Sequence, residues 1–204
     1  MDIMKKLFFT VALSALSFNS IAVSLTPEQQ LGESLYKDKN LSFNRNQSCE
    51  TCHSLTPANS IANNVQGIVP SFADTVNIIT GTAVSTGSLA GVTGTLNAPS
   101  IAYTAFSPKF RFDNVRNVYI GGQFWNGRAA DLIEQAQKPI LNPAEMAMID
   151  ELAVIERLRE NSQYIDAFQQ LYNVNINSSD SRDVQRAYHS LAQSIAAFEA
   201  SPCV

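Results

Sequence analysis

The chain has 204 residues, with 14 Lys and Arg against 18 Asp and Glu, a formal net charge of −4, and 45% hydrophobic residues. That length suits one domain, or one with a small appendage, and the hydrophobic share is enough for a real core. The mild acidity argues against binding to nucleic acid or to an anionic membrane, both of which attract a basic surface. It suits soluble redox partners without selecting any of them.

The chain opens with the pattern of an export signal. Lys5-Lys6 is a short basic region, Leu7 to Phe18 is an apolar run, and Ser20-Ile21-Ala22 or Ala22-Val23-Ser24 offers a small-residue cleavage site. The run is too short to span a bilayer, which takes about 20 apolar residues. Residues 1–24 therefore read as a cleaved signal peptide, residues 25–204 as the domain, and the periplasm as the destination. Neither a lipid-anchoring cysteine nor a later apolar run suggests a membrane anchor. Cleavage removes Asp2, Lys5 and Lys6, leaving the mature chain one unit more acidic.

Thr26-Pro27-Glu28-Gln29 predicts a helix start, with an N-cap, a proline at the first helical position and a capping-box glutamine. Leu31, Leu35 and Tyr36 continue it as an apolar stripe that should end near Asp38–Asn40. Cys49-Glu50-Thr51-Cys52-His53 follows, and C-x-x-C-H is the attachment pattern of a c-type haem. Two thiols at this spacing reach the two vinyl groups of one porphyrin, and the adjacent histidine falls under the iron as its proximal ligand. The competing readings are a redox C-x-x-C and half of a zinc site. A zinc site needs four ligands, and the mature chain offers only Cys49, Cys52, His53, His189 and Cys203. A thioredoxin-like motif would follow a strand in a βαβ unit, for which there is no pattern. Haem attachment also requires an exported chain, so motif and signal support each other. His53 is expected in a short helix.

From Pro57 to Pro99 the sequence is rich in Gly, Ser, Thr, Asn and Ala and shows no helical period. A loop of this length inside a compact domain is usually functional or partly disordered. It is expected to wrap a haem edge, with Ile68, Val69, Phe72 and Ile78–Ile79 as apolar anchors. It contains no histidine or methionine. Ala129 to Lys138 predicts a helix stopped by Pro139, and Asn142-Pro143 a turn. Ile149, Leu152, Ile155 and Leu158 line one further helix, and Ile165, Phe168 and Leu171 line the next. Val184, Tyr188, Leu191, Ile195 and Phe198 mark a long final helix. With no strong hairpin signal and no internal repeat, the expected fold is all-α, a c-type cytochrome domain with long irregular loops.

The same residues resemble the bacterial di-haem cytochrome c peroxidases and their quinone-cofactor-maturing relatives. The resemblance rests on Leu31-Gly32 through Leu35-Tyr36, Asn97-Ala98-Pro99-Ser100, Gly122 through Ala130, Gln135-Ala136, Pro139 to Met146 and the closing Ser194 to Pro202. It matches the N-terminal half of such enzymes, which carries the peroxide-reactive haem. It implies one covalent haem c on Cys49 and Cys52 with His53 on the iron. It implies hydrogen peroxide as substrate and a small c-type cytochrome or copper protein as electron donor. The family's distal pocket falls on Phe124, Gln135 and Glu145, with Glu145 as acid/base. Arg128 is a structural donor, toward a haem propionate on one reading. Trp125 matches a position between the family's two haems, where core packing and electron relay compete. Asn97 matches a position of the family's calcium site.

The family normally continues into a second haem domain, whereas this sequence stops at Pro202-Cys203-Val204, so a single haem is expected here. Homodimerisation or docking of a separate haem subunit is then expected to cover the surface around Trp125. The family's loop histidine, which fills the sixth iron position, is also missing. That position is therefore expected to hold water or no ligand in the ferric state, with His189 on a polar helix face and Met146 and Met148 as the remaining candidates. The alternatives to a peroxidase are a monohaem electron carrier, an oxidant of a partner protein's side chains, and a remnant that binds haem but turns over little.

Overall fold

The computed structural model describes residues 24–55, 73–202 and 204. The signal-peptide reading, the anchors Ile68, Val69 and Phe72, and Cys203 lie outside the described residues. Among those described, no helix is long and apolar enough to cross a membrane.

Helix α1 (Pro27–Lys37) starts as its sequence dictates. The Thr26 hydroxyl accepts from the Gln29 amide, and the Gln29 side chain accepts from the Thr26 amide. The helix ends at Asp38, and Leu31, Gly32, Leu35 and Tyr36 are its buried face. A single-turn helix, α2 (Cys49–Cys52), carries both thiols, and His53 caps it rather than lying inside it. Next come α3 (Thr75–Thr80) and a hairpin of β1 (Arg111–Asp113) with β2 (Val118–Ile120). Four longer helices close the chain: α4 (Leu132–Leu141), α5 (Glu151–Arg159), α6 (Ser162–Tyr172) and α7 (Ser181–Glu199).

The axis of the domain is α7. Its residues Val184, Tyr188, Leu191, Ile195 and Phe198 are all buried, as their helical spacing predicts. Helices α1, α4 and α5 pack against it, and α6 bridges α5 and α1. Each large apolar side chain fully removed from water here contributes about 1.5–3 kcal/mol. The α1–α7 crossing is unusually close. A Cβ on Gly32 would lie 1.9 Å from the Ser194 carbonyl oxygen, so only glycine lets the two backbones approach this far. Tyr36 and Phe198 meet edge to face across that seam, their centroids 5.3 Å apart.

Several expectations fail for identifiable reasons. The β1–β2 hairpin pairs Phe112 with Tyr119, although no strong hairpin signal precedes it. Its turn is built by Asp113, whose carboxylate accepts from the Val115 and Arg116 amides, and by Asn117 at φ +55°. Both are turn residues by chemistry. The molecule is thus helix-rich rather than strictly all-α. Pro139 does not stop α4, which begins late, at the Asp131 N-cap, and runs through the proline to Leu141. Proline in the last turn forfeits only one hydrogen bond, and Met146 N–H donates to the Pro139 carbonyl from beyond the helix end.

Within the long loop, Asp74 caps α3 and Asn77 is buried, while Ile79 is 69% exposed. Ile149 is also exposed, because the Asp150 cap starts α5 after it. In α6 the buried pair is Tyr164 and Phe168, and Leu171 faces outward.

Candidate haem cleft and its carboxylates

Three backbone segments are tied together beside α2. The Phe43 amide donates to the Met146 carbonyl at 2.9 Å, and the Ser88 amide to the Glu145 carbonyl at 2.6 Å. Asn44 and Asn46 hydrogen-bond Ser88, and the Gln47 amide group reaches the Thr86 and Gly87 carbonyls. A Cβ at Gly87 would lie 2.6 Å from the Ala144 carbonyl oxygen, so this contact also needs glycine. These ties fix the segment bearing Glu145 relative to the segment bearing the two thiols.

Between them lies a cleft with about 1380 Å³ of empty space, its open mouth included. Cys49, Cys52, His53, Phe124, Gln135 and Glu145 all line it, so the structure gathers the whole sequence-predicted site in one place. Apolar side chains, among them Ile101, Leu132, Pro139 and Ile195, make up much of the remaining wall. Both cysteines are free thiols. Burial pushes the Cys49 thiol well up and the Cys52 thiol up to about 11, the latter despite a Ser85 hydrogen bond that opposes the shift. Redox-active C-x-x-C pairs need a depressed thiol pKa, so the environment argues against that reading. Among the described residues no cluster of three or more His, Cys, Asp or Glu could hold a metal ion. Two thiols and an imidazole on the wall of a large, mostly apolar cleft do fit a covalently held porphyrin. Cys49 and Cys52 would hold it, and His53 would ligate its iron. The Tyr36 hydroxyl donates to the His53 carbonyl at 2.7 Å, which fixes the backbone of that histidine.

Glu145 is half-buried, and its Oε1 accepts from the Asn142 side-chain amide at 2.8 Å. Burial raises its pKa above the usual carboxylate value, while the Asn142 hydrogen bond and the Arg128 charge pull it back down. Asn142 was legible in the sequence only as a turn residue. The structure makes it the group that orients the carboxyl. Phe124 sits at φ +63°, a backbone conformation that a bulky residue adopts only at a cost of about 1–3 kcal/mol. The Arg128 guanidinium lies over its ring, 3.6 Å from the centroid. Arg128 also donates to the Asn126 side chain. Gln135 projects from α4 into the cleft, and no described residue hydrogen-bonds its side chain.

Trp125 lies at the rim and is 65% exposed, so the core-packing reading of it fails. Its indole donates to the Asn97 carbonyl at 3.1 Å, and the exposed Asn97 side chain donates to the Ala83 carbonyl. His189 is exposed on the outer face of α7, beside Arg182, Gln185 and Arg186, and does not line the haem cleft. Met146 is buried and does line it, whereas Met148 does not.

Fold and cleft together define a helical domain built for a covalently attached haem with a carboxyl in its pocket. A family model described as di-haem cytochrome c peroxidase matches residues 26–203. The methylamine utilization protein MauG of Paracoccus denitrificans is 39% identical over 171 residues, which cover 84% of this chain and 40% of that protein. The cytochrome c peroxidase Ccp of Escherichia coli is 33% identical over 142 residues, covering 70% of this chain and 23% of that protein. Among solved structures, the diheme peroxidase BthA from Burkholderia thailandensis superposes with a TM-score of 0.70 at 26% identity, over 87% of this chain and 39% of that one. The chain belongs to the di-haem cytochrome c peroxidase family. It spans two fifths or less of the length of each of these relatives.

Proposed function

We propose that this chain carries a peroxidase-type haem site that reduces hydrogen peroxide in the periplasm with electrons from a small c-type cytochrome or copper protein. The observation that carries the reading is the place of Glu145: a half-buried carboxyl, oriented by Asn142, on the wall of the cleft that holds Cys49, Cys52 and His53. Reduction of one peroxide to two waters consumes two electrons and two protons, and haem c, when bound, supplies the iron that passes those electrons to peroxide. The chain's own residues handle the protons. Glu145 takes a proton from one peroxide oxygen and returns it to the other, which is general acid–base catalysis. Asn142 occupies one carboxylate oxygen and leaves the second for the substrate. The positive charge of Arg128 favours the ionised form that such a base requires, and burial opposes it. Gln135 orients peroxide through its amide. Trp125, exposed at the rim, marks the side where an electron donor, a second copy or a separate haem subunit docks. The calcium reading of Asn97 belongs to the same proposal.

The test is steady-state oxidation of a reduced small c-type cytochrome by the purified holoprotein and peroxide, which should consume two reduced cytochromes per peroxide. Absence of turnover with several cytochrome and copper-protein donors, alongside full haem loading, would reject it. A second reading, electron carriage without peroxide chemistry, rests on Met146, whose thioether side chain is buried against the cleft.

A further inference from the structure

Glu199, the last residue of α7, is a buried ionisable group with no part in the mechanism above. It is 7% exposed and lines the haem cleft together with Ile195 and Cys49. No described residue supplies its carboxyl with a hydrogen bond or a counter-ion. Burial alone lifts its pKa to about 8, because an isolated carboxylate is costly to hold away from water.

The surrounding groups do not offset that charge. From α1, Tyr36 faces it with a phenol that burial holds neutral. From α2, Cys49 faces it with a thiol that becomes an uncharged thioether once haem is attached, and Glu50 adds a further negative charge near Tyr36. On α4, Glu134 and Lys138 pair with each other at 3.6 Å. Glu145 lines the same cleft, acts with Glu199 on the Cys49 thiol, and is the carboxyl that the Arg128 charge serves.

We propose that Glu199 is the proton-coupling residue of the haem cleft: its carboxylate takes one proton from solvent when the iron accepts one electron, and releases it on reoxidation. The proposal rests on the haem reading of the cleft. Ferric iron carries one more positive charge than ferrous iron, and in a poorly solvated cleft that difference acts strongly on a nearby carboxylate. The carboxylate is favoured while the iron is ferric and disfavoured once it is ferrous. In the pH window between the two resulting pKa values, ferric iron, carboxylate, one electron and one proton become ferrous iron and carboxylic acid. The electron comes from the small redox protein named above, or from a dye mediator in the experiment.

The test is a spectroelectrochemical titration of the holoprotein between about pH 5.5 and 9. The absorption bands of a covalent c-type haem establish the haem reading by themselves, whatever the pH dependence turns out to be. In the parent, the reduction equilibrium should fall up to tenfold per pH unit across the window, which is about 59 mV per unit for a one-electron couple. Glu199→Gln should flatten that slope. A purely structural role for Glu199 would lower thermal stability without changing the slope. A Glu199→Gln variant with the parental slope, or a parent with no slope, would overturn the proposal. Should Glu199→Gln fail to load haem, the reduced-minus-oxidised infrared spectrum of the parent decides instead. A carboxylic C=O band gained on reduction and shifted in Glu199→Asp is expected, and its absence would overturn the proposal.

Discussion

Glu145→Gln separates the chemistry of the cleft from its architecture. The side chain keeps its size, and its amide oxygen can still accept the 2.8 Å hydrogen bond from Asn142. The backbone ties of residue 145, its amide to the Asn142 carbonyl and its carbonyl to the Ser88 amide, do not involve the side chain. Half-buried and conservatively replaced, the position should cost the fold less than about 1 kcal/mol. What disappears is the proton acceptor, and removal of a positioned acid/base typically costs about 10²–10⁴ in rate, or about 3–5 kcal/mol of barrier. Stopped-flow absorbance of the ferric holoprotein mixed with peroxide measures the step directly, with haem content per chain as the control. Parent-like rates at full haem loading would refute the acid/base role. The parent should also lose rate on acidification earlier than an ordinary carboxylate would require. A base works only when ionised, and burial has moved the titration of Glu145 upward.

Three further outcomes are expected. Gly32→Ala forces a Cβ to within 1.9 Å of the Ser194 carbonyl oxygen; overpacking of about 1–3 kcal/mol should lower Tm by about 2–12 °C in a thermal melt. For Glu199, a folded pKa raised to about 8 means that its contribution to stability is fully present below the unfolded carboxylate value and is lost as pH rises toward 8. Melts of Glu199→Gln against the parent should therefore show a relative gain of up to about 1.4 kcal/mol per pH unit across that range, vanishing at acid pH. Intact mass of the exported protein should exceed the processed polypeptide by one haem, and Cys52→Ala should disturb the attachment; a mass equal to the bare chain would contradict the haem assignment.

How much could be read in the sequence depended on how local the physics was. The start of α1 was legible because Thr26, Pro27 and Gln29 act on one another within a single turn. The buried stripe of α7 was legible because it repeats at one helical period over 19 residues. The haem motif was legible because thiol spacing alone sets its chemistry. The hairpin was not, since Asp113 and Asn117 bracket strands of three residues each, too short to show alternation. Pro139 misled because a proline signals a helix end only through its missing N–H, and near the end of α4 that loss is small. Tyr36 and Glu199 acquire their roles from partners or surroundings far away in the chain, whereas Asn142 acts on Glu145 only three residues on, through a turn geometry that spacing alone does not reveal. Tyr36 reaches across 17 residues to His53, and Glu199 is isolated by burial that only the folded chain creates.

The most direct test of the account is the ferric state of the purified holoprotein, recorded by EPR and absorption before and after peroxide. The account predicts high-spin ferric signals that respond rapidly to peroxide and to cyanide, with Glu145 free to act on the bound substrate. A purely low-spin spectrum of a histidine–methionine or bis-histidine haem, unresponsive to peroxide, would contradict it and leave electron carriage through Met146 as the better reading.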